Sequence, residues 1–351
     1  MHPASHPPHI GVLKEHNIAT ALTARRVFLQ HSATWATAVG LGLPLAARAQ
    51  TAAPTSLRIL CTAPGGTIPD IVARRYSEHL GGRHAGGVIV DNRGGAAGRI
   101  AVAALKQAAP DGATVLLAQG AVATVYPYLY DKLAYDPIAD LKPVSVAAEA
   151  ALGLAVGPAV PESVTTLRQL VEWIRANPAQ ANHGSPGLGT LPHLMGALLA
   201  HEAQMSWTHV AYPGGPAALL DLMAGRLAAL ALPEGLLRPH LAAGKLRVLA
   251  TSGSTRSSFL PNVASVTEQG FPKLVMREWF AFFMPGGTPQ AIVDETSRAL
   301  QLAAAQPALR AALADIGMLA VAGGASELRE RIAQEQPYWR AVIGATGIRA
   351  E

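Results

Sequence analysis

Three short segments of the chain place glycine and hydroxyl residues directly before a helical pattern, at residues 64–67, 185–190 and 212–215. Glycine lets backbone N–H groups approach a ligand closely. The N-terminus of a helix adds free N–H donors and the positive end of the helix dipole. Together these features suit a carboxylate without requiring a cationic side chain nearby. Three ordinary turns with helix caps are the alternative that the sequence leaves open.

Several side chains near these segments are candidates to contact the same ligand. Thr67, Ser185 and Thr190 supply hydroxyl groups. His193 follows Thr190 by three residues and is placed to face the ligand from the first helical turn, and a histidine satisfied within the protein is the alternative. Asp70 opens the first helix, where the helix dipole favours an acid. It is also a candidate to accept a hydrogen bond from a ligand.

The sequence lacks the common enzyme motifs. It has no G-x-S-x-G nucleophile elbow, no G-x-x-x-x-G-K-[ST] phosphate loop and no H-E-x-x-H zinc motif. Ser185 and His193 form the one conceivable pair of nucleophile and base, but no carboxylate that would orient the histidine is evident. We therefore predict that the protein is not an enzyme. A periplasmic enzyme that acts on a small ester or acid through Ser185 and His193 is the alternative.

The formal net charge of +5 would suit a nucleic-acid partner, but the charge is unevenly distributed. Residues 1–49 hold four basic residues and one acid, which leaves a net charge of only +2 for residues 50–351. No basic cluster with interleaved aromatic residues remains, so no nucleic-acid partner is expected. Cys61 is the one cysteine, so that an internal disulfide is excluded and no metal site or other cofactor is expected.

The first 49 residues have the layout of an export signal. Arg25 and Arg26 precede Val-Phe-Leu, a short apolar stretch follows at 33–45, and an A-x-A pattern ends at Ala49. The arginine pair is similar to a twin-arginine signal. We predict a cleaved signal peptide over residues 1–49 and a mature protein that begins near Gln50 in the periplasm.

From residue 57 onward, short apolar strands alternate with amphipathic helices, which is typical of an α/β protein with mainly parallel sheets covered by helices. The pattern restarts after residue 150. We predict two lobes, residues 54–150 plus 276–351 and residues 151–275, joined by two hinge crossings near 149–152 and 275–278. Ligands of open α/β sheets bind beyond the carboxyl ends of the strands, which is where the glycine-rich segments lie.

The order of these segments resembles one family of receptors over nearly the whole mature chain, from about Leu57 to Ile348. The segments that carry the resemblance are P-G-G at 64–66, D-I-V-A-R at 70–74, V-D-N-R-G-G-A-A-G at 90–98, A-P-D-G at 109–112, S-P-G-L-G-T-L-P-H at 185–193, V-A-Y-P-G-G-P-A at 210–217 and P-G-G-T-P at 285–289. They are similar to those of the Bug (Bordetella uptake gene) family, the solute receptors of tripartite tricarboxylate transporters, whose members are similar to TctC.

The resemblance implies a two-lobed periplasmic-binding-protein fold, the Venus flytrap, that closes on a small carboxylate. It implies that the receptor, expected to be monomeric, delivers the unchanged ligand to the membrane permease of a tripartite tricarboxylate-type transporter, with a sensor protein as the alternative partner. In the family, two loops hold the ligand carboxylate, largely through backbone N–H groups and ordered water. The residues that match these loops here are Gly65, Gly66, Thr67, Asp70, Ser185, Gly187, Gly189, Thr190 and His193, with Tyr212 and Gly214 nearby.

The first glycine-rich segment departs from the family pattern. That pattern is P-G-G-x-x-D, whereas three residues separate Gly66 from Asp70 here. Either the loop is longer or Thr67 takes the place of a glycine, and the sequence leaves both open. The preceding strand also ends without the usual aromatic residue, at Cys61-Thr62-Ala63. No arginine is placed in the pocket by the sequence, which disfavours a tricarboxylate ligand.

Overall fold

The computed structural model describes residues 55–350, so the signal peptide predicted over residues 1–49 lies outside the described residues. Residues 55–350 form ten strands and eleven α-helices. The strands are β1 (Leu57–Cys61), β2 (Val88–Asn92), β3 (Thr114–Gln119), β4 (Leu141–Val156), β5 (Asn182–Ser185), β6 (Thr208–Ala211), β7 (Ala229–Pro233), β8 (Arg247–Thr251), β9 (Arg277–Pro285) and β10 (Leu319–Ala320). The helices are α1 (Ile68–Leu80), α2 (Arg99–Lys106), α3 (Ala121–Thr124), α4 (Tyr126–Leu129), α5 (Leu167–Ala176), α6 (Leu191–Glu202), α7 (Gly215–Met223), α8 (Glu234–Leu241), α9 (Gln290–Ala305), α10 (Pro307–Asp315) and α11 (Ala325–Thr346).

The strands pair in the order β2-β1-β3-β9-β4-β7-β5-β6, and β8 and β10 also pair with β4. β1 is parallel to β2 and β3, and β5 is parallel to β6 and β7. These two parallel groups confirm the predicted two-lobed α/β fold, because parallel neighbours require the crossover helices that the sequence pattern indicates. The centre differs from the prediction of mainly parallel sheets, since β4 and β9 pair antiparallel with each other and with their other neighbours.

The apolar pattern of the sequence predicts a strand over Leu152–Val156, but β4 begins much earlier, at Leu141. Its first half pairs with β9 and ends with Ala151 opposite Arg277, and its second half begins with Leu152 opposite Pro233 of β7. The first half is rich in alanine and contains a proline, a composition with low β-propensity, which is why the sequence pattern did not reveal it. The change of partner falls within the segment 149–152 that was predicted as a crossing.

The sequence periodicity predicts a helix over Leu167–Ala176, and α5 begins and ends at these residues. Thr166 accepts a hydrogen bond from the backbone N–H of Gln169, and the Gln169 side chain accepts from the backbone N–H of Thr166, which together form a capping box. The residues of its apolar face, spaced by three and four positions, are buried. Local capping and periodicity therefore define this helix without help from distant residues.

The apolar core lies on both faces of the sheet. On one face α1 packs over the strands, where the rings of Tyr76 and Phe282 meet edge to face at 5.1 Å and the Tyr76 hydroxyl donates to the carbonyl oxygen of Ala147. Cys61 is fully buried, and burial raises the pKa of its thiol to about 11, so that it stays an unreactive thiol. No helix of residues 55–350 is long and apolar enough to cross a membrane.

Candidate functional site

A cavity of about 390 Å³ lies at the carboxyl ends of the parallel strands. Pro64 follows β1, Gln119 ends β3, Pro186 follows β5 and Ala211 ends β6, and all four line the cavity. Both parallel groups therefore contribute to one site. This position is the one expected for a ligand of an α/β sheet, and the volume suits a small molecule.

The first wall of the cavity is residues 64–70, which we call the Asp70 loop. Gly66 has φ +78°, and its N–H donates to Asp70 Oδ2 over 2.9 Å. Arg74 Nε lies 3.0 and 3.1 Å from the two Asp70 oxygens, and Asn92 Nδ2 donates to Oδ1 over 2.9 Å. Burial opposes ionisation of Asp70, but the hydrogen bonds from Arg74, Gly66 and Asn92 outweigh it and lower its pKa. The carboxylate thus holds the loop from behind.

Thr67 is the N-cap of α1. Its hydroxyl donates to the carbonyl oxygen of Pro64 over 2.6 Å, and its own carbonyl oxygen accepts the first helical hydrogen bond, from Ile71. Pro69 occupies the first helical turn, where a missing N–H costs nothing. The backbone N–H of Ile68 has no acceptor within the helix and lies at the cavity wall.

The second wall is residues 187–193, which we call the His193 loop. Gly189 has φ +82°, and its N–H donates to Nδ1 of His193 over 3.1 Å. Thr190 is the N-cap of α6, and its hydroxyl donates to the carbonyl oxygen of Gly187 over 2.7 Å. Pro192 again lies in the first helical turn. A side chain at Gly189 would lie 2.4 Å from Leu129 Cδ2, so that only glycine fits there.

The two loops therefore share one construction. Each has a glycine in the left-handed region, then an N-cap threonine, an apolar residue, a proline and an acceptor side chain, written G-T-I-P-D at 66–70 and G-T-L-P-H at 189–193. In each, the acceptor binds the N–H four residues earlier and the threonine hydroxyl binds the carbonyl oxygen three residues earlier. The sequence alone groups these segments by their glycine and hydroxyl residues before a helix, and the shared position of the acceptor side chain emerges only from the structure.

Behind the His193 loop lies a cluster of aromatic side chains, of which His183 and His193 are buried and Trp207 and His209 are half-buried. The ring of His209 is 4.0 Å from that of His193 and 4.9 Å from that of His183, whose ring is 4.4 Å from Trp207. Burial lowers the pKa of His193 to about 3, with His209 adding to the effect, and burial lowers the pKa of His209 to about 4. Burial also holds the pKa of His183 well below its usual value. All three are neutral at neutral pH.

Ser185 lies with these side chains behind the His193 loop and is not part of the cavity wall. Its hydroxyl is fully buried, donates to the carbonyl oxygen of Gly187 over 3.0 Å and lies 2.8 Å from Nε2 of His209. The structure pairs Ser185 with His209, whereas the sequence analysis considered His193 as its partner. No acidic side chain orients this histidine among the hydrogen bonds of residues 55–350. Ser185 and His209 are therefore arranged to hold the backbone of the His193 loop in place.

Two further loops close the cavity. Gly214, with φ +135°, is the N-cap of α7, and a side chain there would lie 3.2 Å from Thr67 Cγ2, so the third loop touches the Asp70 loop. Ala96 and Ala97 both have positive φ, at 47° and 53°, which is strained for alanine. The Ala97 carbonyl oxygen accepts hydrogen bonds from Gln119 Nε2 and the Tyr126 hydroxyl, which hold it in place.

One base and one acid line the described cavity, and sequence reasoning placed neither there. Arg99, at the start of α2, lies with its guanidinium carbon 4.0 Å above the ring centroid of Tyr130, and Nε donates to Ala96. Glu278 on β9 is 4% exposed. Burial, together with the charge of Glu335, raises its pKa to about 8. The one sequence signal for Glu278 was an acid inside an otherwise apolar strand pattern.

The residues proposed from the sequence divide into two groups in the structure. Those on the cavity wall are Thr67, Gly187, Thr190, Tyr212 and Gly214. Those outside the wall, within or behind the loops that form it, are Gly65, Gly66, Asp70, Ser185, Gly189 and His193. The second group holds the loop backbones in shape. No group of three histidine, cysteine or acidic side chains in residues 55–350 has the arrangement of a metal site.

Comparison with known sequences identifies the family of this chain. The sequence model of the tripartite tricarboxylate transporter family receptor, TctC, matches residues 72–348. The chain belongs to this receptor family. The match begins within α1 and reaches past the end of α11, so that it covers every strand of the described residues except β1, and it confirms the predicted Bug and TctC relationship.

Individual relatives agree with this assignment. The chain is 31% identical to BugT of Bordetella pertussis over 309 residues, which are 88% of this chain and 94% of BugT. The structure of MatC from Rhodopseudomonas palustris with bound malate matches with a TM-score of 0.77 and 25% identity, over 82% of this chain and 98% of MatC. A second R. palustris protein, solved with adipate, matches with a TM-score of 0.79 and 26% identity, over 84% and 98% of the two chains.

Proposed function

We propose that this member of the receptor family binds a small carboxylate in the cavity and delivers it, unchanged, to the membrane permease of a tripartite tricarboxylate-type transporter. The receptor would work in the periplasm, after cleavage of a signal peptide at residues 1–49. The observation that carries the proposal is the cavity itself, on which the N-termini of α1, α6 and α7 converge with Arg99.

The physical argument is the donor set of this wall. Each of the three helices begins beside the cavity with an N-cap residue, Thr67, Thr190 or Gly214, and leaves backbone N–H groups without helical acceptors. The helix dipoles and the Arg99 guanidinium make the same wall electropositive. The solved relatives that hold malate and adipate bind dicarboxylates, which agrees with an anionic ligand here.

Capture would use closure of two lobes, residues 54–150 plus 276–351 and residues 151–275. The change of partner along β4, where Ala151 faces Arg277 and Leu152 faces Pro233, supports crossings between the lobes at 149–152 and 275–278. The 3.2 Å spacing from Thr67 to the Cβ position of Gly214 supports a closed state, with loops of both lobes in contact. The ligand would stabilise this state by binding both walls at once.

Catalysis by Ser185 and His193 has no comparable support. The Ser185 hydroxyl is buried behind the cavity wall and is hydrogen-bonded within its own loop and to His209. His193 Nδ1 is occupied by the N–H of Gly189. Neither group is free to attack a ligand, so the reading as a receptor is the better one.

A thermal-shift screen tests the proposal. The purified protein is unfolded and refolded to remove carried-over ligand, then heated with small carboxylates and with their amides. A ligand at a hundredfold excess over Kd adds about 2.7 kcal/mol to the free energy of unfolding, which raises Tm by several degrees. We expect shifts from carboxylates and none from the matched amides.

Two arginine variants form the matched pair for this screen. Arg99→Met removes the one guanidinium on the wall and should reduce the shift, whereas Arg93→Met removes an exposed arginine paired with Asp91 and should leave it unchanged. No shift with any carboxylate would overturn the proposal. Loss of ligand uptake in cells that lack this receptor would support delivery to a permease, and unchanged uptake would indicate a sensor partner instead.

A further inference from the structure

Glu278 is an unpartnered acid on the cavity wall. It lies on β9 opposite Ala150 of β4, and its side chain is 4% exposed. Its Oε1 is completely buried and has no hydrogen-bond partner within residues 55–350. A buried carboxyl oxygen without a partner is costly, and a site that keeps one is typically completed by a bound group.

The charged groups around Glu278 are already paired with one another. On β9 itself, Arg277 forms an ion pair with Glu149 of β4 at 3.3 Å. On α11, Arg331 pairs with Glu149 and with Glu335, both at 3.0 Å. Glu335 also accepts from the indole N–H of Trp279. The cations near this strand therefore serve Glu149 and Glu335, and none bonds to Glu278.

On the cavity side, the neighbours of Glu278 supply no countercharge either. Tyr126 of α4 is close enough for its ionisation to be influenced by Glu278, and burial keeps that phenol neutral. The Tyr126 hydroxyl donates to Ala97 and does not bond to Glu278. Arg99, the cation on the wall, hydrogen-bonds to Ala96 and covers the ring of Tyr130. The acid faces the cavity without a donor.

We propose that Glu278 determines ligand specificity by accepting hydrogen bonds from a cationic nitrogen of the ligand, so that the receptor selects a small amino-carboxylate over a dicarboxylate. This inference rests on the proposed function, because the other end of the same ligand is the carboxylate held by the helix N-termini and Arg99. A cavity with one guanidinium and one carboxyl group matches a zwitterion in both charges.

The protonation of Glu278 gives this proposal a distinctive signature. In the empty cavity the pKa of Glu278 is about 8, so that the carboxyl group is mostly protonated at pH 7. A ligand ammonium beside it stabilises the carboxylate form and lowers the pKa. The carboxyl proton then leaves to solvent while the ligand keeps its own, so that binding at pH 7 releases most of one proton. A second carboxylate on the ligand would instead favour the protonated form and release none.

The test is isothermal titration calorimetry at pH 7 in two buffers of different ionisation enthalpy, which measures Kd and proton release together. The ligands are β-alanine, γ-aminobutyrate and δ-aminovalerate. The comparison compounds are the dicarboxylates with the same number of methylene groups, which are succinate, glutarate and adipate, and the monocarboxylates with the same number of carbon atoms, which are propionate, butyrate and valerate. We expect at least one amino-carboxylate to bind about tenfold or more tightly than its matched dicarboxylate, with release of close to one proton.

Glu278→Gln and Glu234→Gln form the matched variants. Glu234 is also buried, at 2% exposed, and has an unpartnered Oε2, but it lies outside this cavity and accepts from Ser257 Oγ. We expect Glu278→Gln to abolish proton release and the preference for the nitrogen while monocarboxylate affinity is kept. Glu234→Gln should change neither.

The outcomes separate the two proposals. If dicarboxylates bind more tightly than amino-carboxylates, or if amino-carboxylates bind without proton release, the role of Glu278 is overturned and the carboxylate receptor stands. Calorimetry of the wild-type protein is sufficient for this decision, so that the test remains valid even if a variant fails to fold. If none of the acids binds, the proposed function fails and the role of Glu278 fails with it.

Discussion

The Asp70 loop and the His193 loop share one hydrogen-bonded backbone arrangement, but the acceptor side chain is charged in the first loop and neutral in the second. Both acceptors lie at the third helical position and bind a glycine N–H four residues earlier, and both are nearly buried, at 3% exposed for Asp70 and 5% for His193. Asp70 is ionised and is bonded by Arg74 and Asn92. His193 is neutral, and its ring lies 4.0 Å from the tilted ring of His209.

This difference indicates that each loop requires a hydrogen-bond acceptor at this position, and that the neighbouring side chains determine whether the acceptor is charged. At the edge of β2, Arg74 and Asn92 reach the carboxylate, so that ionisation is favoured despite burial. Behind α6 only neutral aromatic rings contact the acceptor, so that a neutral imidazole is favoured. The two loops therefore border the cavity with similar backbones, and the side chains that hold each backbone lie behind it.

The largest expected effect comes from giving the His193 loop the acceptor of the other loop. His193→Asp keeps a hydrogen-bond acceptor near the Gly189 N–H but places a carboxylate where no cation reaches it. We expect the free energy of unfolding at pH 7 to fall by about 3 kcal/mol more than in His193→Asn, because an unpaired buried charge is costly. Chemical denaturation at pH 7 and pH 5 measures this difference.

The gap between these two variants should narrow at pH 5, because protonation neutralises the new carboxyl group. Asp70→Asn is the matched change in the other loop, where removing the charge should destabilise, since Arg74 and Asn92 lose their ionised acceptor. Equal costs for His193→Asp and His193→Asn would contradict the electrostatic contrast between the loops.

Acid should act on the His193 loop before the Asp70 loop. Unfolded histidine takes up a proton near pH 6.5, whereas folded His193 does so near pH 3, so that lowering the pH from 7 to 5 favours the unfolded chain. Asp70 has a lowered pKa and therefore keeps its contribution until the pH falls below the ordinary value of 3.8. We expect about 2 kcal/mol of the wild-type stability loss between pH 7 and pH 5 to disappear in His193→Asn.

Thermal unfolding at pH 7 and pH 5 measures this loss for the wild-type protein and for two variants. His201→Asn is the control, because it removes an exposed histidine from the same helix and should retain the wild-type pH dependence. A pH dependence that is identical in His193→Asn and the wild type would show that His193 is not the group that acid attacks.

The contrast between the loops also shows what the sequence can predict. Local signals predict α5 and place two further helix starts near Pro69 and at Thr190, each one residue from the observed start of α1 or α6, because caps, prolines and periodicity act within a few residues. The first half of β4 could not be predicted, since its alanine-rich segment becomes a strand only by pairing with β9.

The candidate site divides in the same way. The glycine-rich loops are continuous segments and were found from the sequence, whereas Arg99 and Glu278 are 179 positions apart and meet the cavity only through the fold. Asp70 and His193 were predicted near the ligand, but hydrogen bonds to their own loops place them behind the wall. Whether such a side chain contacts the ligand or its own loop depends on which donors the folded chain brings beside it, and the sequence does not show this.

The smallest expected effect tests whether the two loops are equivalent where their charges are not involved. The hydroxyls of Thr67 and Thr190 donate to the carbonyl oxygens of Pro64 and Gly187, over 2.6 and 2.7 Å, and both side chains are buried. Replacement of either by the isosteric valine removes this bond, although the carbonyl oxygen of Gly187 keeps the Ser185 hydroxyl as a second donor. We expect each variant to lose about 1 kcal/mol of unfolding free energy, equally at pH 7 and pH 5, because neither bond involves a titrating group.

Denaturant midpoints measure both variants against Thr255→Val, an exposed threonine that should change little. A cost that depends on pH in this range would mean that the Asp70 and His193 networks reach into the hydroxyl bonds and that the loops are equivalent in shape only.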